Sequence, residues 1–191
     1  MNRKPSNIKG PLVEWKKHLL TRRQFLLTSA GGSLSALFPL PLSASTDNTH
    51  IWSTIEAVQG HLFPTEENAP GAAEIKALEY LKFVVTDKTL NKEDREFILK
   101  GAGWLEGMAQ QLQDTTFVKL DEDSREKVLR RIAASDAGEN WLSTLLLYIM
   151  EALLTDPVYG GNSNQVGWRW LQHVPGFPRP PENKTFPRLL S

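Results

Sequence analysis

Cysteine is absent from all 191 residues, which excludes disulfides, thiolate-bound zinc, iron–sulfur clusters and covalently attached c-type haem, since each needs a thiol. Any redox chemistry must therefore use a cofactor held elsewhere. Two-residue hydrophobic alternation bounded by hairpin turns is also missing, which argues against a sheet. Beyond residue 45 the histidines are His50, His61 and His173, and no two stand at the four-residue step of a helical zinc site. No serine sits in a Gly-x-Ser-x-Gly elbow; Ser163 follows Asn162 in a loop-like stretch. Gly101-Ala102-Gly103-Trp104-Leu105-Glu106-Gly107 resembles a dinucleotide glycine loop only until its last glycine, which comes one position late, and no βαβ pattern surrounds it. Small residues for close helix packing, or a break in a helix, explain it better. The residues present contain no catalytic set, and neither a metal site nor a bound cofactor is expected in this chain.

The formal net charge of zero averages two unlike parts. Of 22 basic and 22 acidic residues, seven basic and one acidic fall in residues 1–44, leaving 15 against 21 in residues 45–191, a net −6. An acidic body disfavours nucleic acid as partner, because phosphate binding needs a basic face. The acidic run Asp121-Glu122-Asp123 has a sufficient role at a helix N-terminus, where carboxylates meet free N–H groups. Hydrophobic residues make up 40% and tryptophans number six, so a folded globular chain is expected rather than disorder.

The basic leader carries a specific motif. Thr21-Arg22-Arg23-Gln24-Phe25-Leu26 precedes an uncharged, weakly hydrophobic stretch diluted by Gly31, Gly32, Ser33 and Ser35 and broken by Pro39. This resembles a twin-arginine export signal, with Arg22, Arg23, Phe25 and Leu26 as its recognition residues. A basic amphipathic helix would need a polar face at helical spacing, which this stretch lacks. Ser43, Ala44 and Ser45 offer cleavage after Ala44 or Ser45, although Pro41 and Leu42 make neither site ideal. An uncleaved anchor is the alternative, but the run is short and proline-broken for a spanning helix. The expected division is a signal segment over 1–45 and one domain over 46–191.

The domain reads as all-α, a compact bundle of about five to six helices with a long ordered C-terminal loop segment. Ile51, Ile55, Val58 and Leu62 recur at helical steps, and that helix ends near Phe63-Pro64. Pro70 suits the first turn of a second helix striped by Ile75, Leu78, Leu81 and Val85. Asn91 caps a third, with Phe97, Ile98, Leu105 and Met108 on its apolar side, and Asp121 caps a fourth. In the fourth, Val128, Leu129 and Ile132 face inward while Arg125, Lys127, Arg130 and Arg131 stay in water. The fifth, about Glu139 to Thr155, is apolar on most sides and belongs at the centre.

That helix delivers the chain to Asp156-Pro157-Val158-Tyr159-Gly160-Gly161-Asn162. Proline lacks an N–H and drives its predecessor out of the helical region, so the helix stops at Asp156. Gly160 and Gly161 allow backbone angles closed to other residues, beside the rings of Tyr159 and Trp168. Two roles are open to this stretch: a loop that closes a helical core, or a shaped surface.

Leu62-Phe63-Pro64, Ala69-Pro70-Gly71-Ala72, the Asp156–Asn162 string, Val166-Gly167-Trp168 and Pro175-Gly176 together resemble the gluconate 2-dehydrogenase subunit 3 family, over roughly His50 to Pro181. The Asp-Pro-Val-Tyr-Gly-Gly-Asn string is the specific part. The resemblance implies a non-catalytic small subunit whose partner, a flavoprotein of the glucose-methanol-choline type, holds FAD and oxidises a sugar or polyol. It also implies a multihaem cytochrome c as a third component holding haem c, the twin-arginine translocase as carrier, and a periplasmic location, membrane-associated through the complex. Asp156, Tyr159, Gly160, Gly161, Asn162, Trp168 and Trp170 are the partner-interface candidates. Interface and internal packing are both open to Tyr159; packing is the stronger role for Trp168. A different class, a solitary periplasmic helical module whose loop rims a small-molecule pocket, is the alternative.

Overall fold

A computed structural model describes residues 48–185. The leader, with Arg22, Arg23, Phe25 and Leu26, lies outside the described residues. Six α-helices order the span: α1 Asn48–Leu62, α2 Ala77–Thr86, α3 Lys92–Gln113, α4 Glu122–Ala133, α5 Asp136–Leu154 and the short α6 Val166–Trp170. Single 3₁₀ turns lie at Phe117–Lys119, Pro157–Tyr159, Ser163–Gln165 and Glu182–Lys184. Among the described residues there is no strand, only an isolated bridge between Glu66 and Ala69. The fold is all-α, as the hydrophobic periodicity requires.

Side-chain caps set the starts of three helices. The Asn91 side chain accepts from the Asp94 N–H at 2.7 Å, Asp121 from the Ser124 N–H at 2.8 Å, and Ser135 Oγ from the Gly138 N–H at 3.1 Å. Each satisfies a donor that the first turn leaves without an intrahelical partner. The Ser135 cap starts α5 three residues before the expected Glu139.

The second helix differs more. Pro70 is not in its first turn: α2 begins at Ala77, after Lys76 in the left-handed region at φ 59°. Two contacts hold the preceding turn apart from the helix. Glu74 accepts from Thr65 Oγ1 at 2.7 Å and from the Gly71 N–H at 3.0 Å; the Thr65 bond above all, with backbone N–H groups, holds its carboxyl below the ordinary glutamate range. The Ile75 carbonyl, which a continuous helix would give to residue 79, instead accepts the Asn162 N–H at 2.7 Å.

α5 packs against α1, α2, α3, α4 and α6, so it is the central helix. Its N-terminal half enters one core cluster through Trp141 and Leu145, with Ile55, Leu81, Ile98, Leu105, Phe117 and Val128. Its C-terminal half enters a second through Ile149, Ala152 and Leu153, with Ala72, Ile75 and Ala77. Full burial of Trp141 contributes about 4 kcal/mol of apolar transfer free energy. Its indole N–H must then find a partner, and it donates to the Ile98 carbonyl at 2.9 Å. Gly101 makes this approach possible, since a Cβ there would lie 2.1 Å from Trp141 Nε1. Gly101 therefore serves close helix packing inside an unbroken α3, whereas a Cβ at Gly103 would meet nothing within 4 Å.

Arg125 departs from the expected wet face. It is half-buried, its guanidinium lies over the Phe117 ring at 5.7 Å from the centroid and donates to the Val118 carbonyl at 2.6 Å. The 3₁₀ turn at Phe117 folds against the helix and gives Arg125 a ring and a carbonyl to bind, which helical periodicity does not report.

The two α3 glycines should respond with opposite signs. Gly101→Val should lower unfolding free energy by about 3 kcal/mol through overpacking against Trp141, while Gly103→Ala should raise it by about 0.5–1 kcal/mol through helix propensity. Urea denaturation of both variants checks this.

Candidate functional site

The chain leaves α5 at Leu154 and turns at Asp156, whose side chain accepts from the Val158 N–H at 3.1 Å and so caps the 3₁₀ turn Pro157–Tyr159. Pro157 fills the first position of that turn, where its missing N–H costs nothing. Gly160 closes it at φ +91°, a conformation that strains any side chain. Gly161 plays a different part from the one expected. Its φ is not positive; it lies against the end of α5, where a Cβ would stand 2.8 Å from the Ala152 carbonyl oxygen. Close approach, not an unusual backbone angle, requires glycine at 161.

Asn162 follows, with none of its surface exposed and φ 47°. Asparagine tolerates this left-handed conformation better than most residues. Its N–H donates to the Ile75 carbonyl at 2.7 Å, its Nδ2 to the Thr155 carbonyl at 3.0 Å, and its Oδ1 accepts from the Gly167 N–H at 2.8 Å. One residue thus joins three segments: its side chain ties the end of α5 to the start of α6, and its backbone N–H ties both to the turn before α2. Gly167 sits tight as well, since a Cβ would lie 2.4 Å from the Leu153 carbonyl oxygen.

The indole of Trp168, 5% exposed, donates to the Leu154 carbonyl at 2.8 Å. Above it lies the Arg179 guanidinium, 5.5 Å from the ring centroid, which also grips Asp156 with two bonds of 2.8 and 2.9 Å. The Arg179 fork holds the Asp156 carboxyl below the ordinary aspartate range; partial burial opposes this and the Val158 N–H adds to it. The 173–180 segment is thereby folded back onto the loop. This part of the chain also exposes large apolar side chains: Val174 and Phe177 are 84% and 88% exposed, and Leu154, Trp170 and Leu171 are exposed as well.

The same stretch of chain, residues 49–176, matches the family model described as Gluconate 2-dehydrogenase subunit 3. The chain belongs to the gluconate 2-dehydrogenase subunit 3 family. No curated protein and no solved structure matches it. The match embraces every segment on which the resemblance rested, from Leu62-Phe63-Pro64 to Pro175-Gly176. A family named as subunit 3 of a dehydrogenase implies dehydrogenase partners for this chain.

The structure divides the candidate residues of this family member by exposure. Gly161, Asn162 and Trp168 are buried within the domain, Asp156 is occupied by Arg179 and Val158, and Gly160 and Trp170 face solvent. Tyr159 lies between these groups. Half-buried, it meets the Phe83 ring edge-on at 5.8 Å and borders an open cleft of about 430 Å³ between α2, α5 and the 157–159 turn. Tyr80, Tyr148 and Glu151 also line that cleft, and Tyr80 Oη donates to Glu151 Oε2 at 3.1 Å. Burial and then the Glu151 charge push the Tyr80 phenol well above its ordinary value, so it stays a donor. These residues and Arg179 escaped the reading of the sequence. The i, i+3 pairs Tyr80/Phe83 and Tyr148/Glu151 were the available signal; nothing local pointed to Arg179.

Two histidines make contacts within the domain: His61 Nε2 lies 2.7 Å from Glu126 Oε2, and the His173 ring packs on Trp168 at 5.6 Å. Among the described residues no three His, Asp or Glu side chains gather where they could hold a metal ion. No helix among them is long and apolar enough to cross a membrane.

Two outcomes follow from this geometry. Asn162→Ala leaves the Gly167 N–H and Thr155 carbonyl without partners and puts alanine in a left-handed conformation, so unfolding free energy should fall by about 3 kcal/mol in chemical denaturation. Asp156 has a depressed folded-state pKa, so its pair with Arg179 contributes fully above the unfolded aspartate value of about 3.9 and is lost as pH falls through the lower folded value. The Trp168 indole N–H resonance should therefore stay constant down to about pH 4 and shift only below it; in Asp156→Asn that shift should vanish.

Proposed function

We propose that this chain is the non-catalytic small subunit of an exported, FAD-dependent sugar or polyol dehydrogenase. Its task is to stabilise the flavoprotein subunit, of the glucose-methanol-choline oxidoreductase type, and to escort it through twin-arginine translocation into the periplasm. FAD resides in that partner, and a multihaem cytochrome c carries the electrons on and ties the complex to the membrane. The observation that carries the reading is the family match over residues 49–176, joined in the same chain to the Thr21-Arg22-Arg23-Gln24-Phe25-Leu26 motif. A twin-arginine route takes folded cargo, and a small chain without a cofactor of its own gains little from it unless a partner travels along. Trp170, Leu171, Val174 and Phe177 are exposed and offer apolar and aromatic side chains of the kind that partner binding uses.

Replacing Arg22 and Arg23 together by lysine should leave the domain folded but retain it in the cytoplasm, because the motif is an address read by a receptor. The flavoprotein should be retained with it, detected as flavin absorbance co-purifying with this chain from the cytoplasmic fraction. Normal periplasmic amounts of the flavoprotein in that variant would refute the escort role.

A further inference from the structure

The cleft between α2, α5 and the 157–159 turn is used by nothing described so far. Four aromatic side chains border it: Tyr80 and Phe83 from one face of α2, Tyr148 from α5, and Tyr159 from the turn. Three of them form a continuous row, with ring centroids 6.4 Å apart between Tyr80 and Phe83 and 5.8 Å between Phe83 and Tyr159. Aromatic faces carry negative potential and attract cations. Glu151 and Asp87 add two carboxylates to the lining, and no lysine, arginine or histidine belongs to it. Glu151 is held in place by the Tyr80 hydroxyl through one oxygen. Arg95, whose guanidinium donates to the carbonyls of Val85, Asp87 and Leu90, is committed to the end of α2 and does not border the cleft.

We propose that this cleft is a seat for an arginine side chain of the dehydrogenase subunit, held by the tyrosine rings and the Glu151 carboxylate. A planar guanidinium suits it better than an ammonium, since it stacks on ring faces while giving a fork of donors to a carboxylate. The volume of about 430 Å³ holds a long side chain with the backbone that presents it. Charge is complementary on the larger scale too, because residues 45–191 carry a net −6 and favour a partner surface of positive sign. Tyr159 thus connects the turn of the family-defining string to a recognition pocket, through a ring that reaches the cleft while Gly161 and Asn162 anchor its backbone. The identity of the partner rests on the function proposed above; the cation preference of the cleft does not.

The full chain is titrated with Nα-acetyl-arginine amide and, separately, with Nα-acetyl-citrulline amide, which has nearly the same shape without the charge. Ring-proton resonances of Tyr80, Tyr148 and Tyr159 should shift with the arginine derivative and saturate in the millimolar range, with no shift from citrulline. Glu151→Gln keeps an acceptor for Tyr80 and removes the charge, so it should weaken both this binding and the affinity for the flavoprotein about tenfold, and Tyr159→Ala should do the same. Tyr159→Phe, which keeps the ring, should retain both. Equal shifts from the two probes, or none, overturn the cation seat. Shifts from arginine alone with undiminished flavoprotein affinity in Glu151→Gln overturn the partner as its source. A wild-type chain that forms no complex with the flavoprotein refutes the subunit role, and the ring titration then decides the cation seat by itself.

Discussion

Asn162 is the point on which the second half of the domain depends. A loop that runs across a helical core must satisfy its own backbone groups there, since a buried N–H or carbonyl without a partner costs about 1–3 kcal/mol. Three segments have such groups near one place: the end of α5 at Thr155, the turn before α2 at Ile75 and the start of α6 at Gly167. An amide side chain carries both donor and acceptor, and the adjacent backbone N–H supplies the third bond. Gly161 and Gly167 lie within van der Waals reach of the α5 backbone, so the asparagine can come this close only because its neighbours lack side chains.

The same constraint shapes α2. Because Ile75 gives its carbonyl to the loop, a helix cannot run through it, and the chain re-enters helix at Ala77 by way of the left-handed Lys76. That offset sets the rotation of α2 and with it the face on which Tyr80 and Phe83 stand. α5 crosses both core clusters and carries Tyr148 and Glu151 on its side of the cleft. The cleft is therefore a consequence of where two helices were stopped and started.

Anchoring and cleft-lining are divided among neighbouring residues of one string. Asp156, Gly161 and Asn162 hold the turn to the body, and Tyr159 between them presents its ring to the cleft edge. Arg179 closes the arrangement from the far side by binding Asp156 and covering Trp168, which spares the indole from solvent and leaves Val174 and Phe177 on the outside.

Features that depend on residues within about four positions of one another were legible in the sequence. The apolar stripes, the Asn91 and Asp121 caps, the stop at Asp156-Pro157 and the Asp156–Asn162 string belong here, because helical period, capping and proline geometry are local properties. The offset of α2 from Pro70, the pairing of Arg179 with Asp156 across 23 positions, the bond from Trp141 to Ile98 across 43 and that from Tyr80 to Glu151 across 71 were decided only by the tertiary structure. So were the distinct reasons for glycine at 160 and 161, one a positive φ and the other a backbone at close range. Such contacts arise when helices pack, and the angle and depth of that packing depend on all the side chains at the contact together, which no short window of sequence contains.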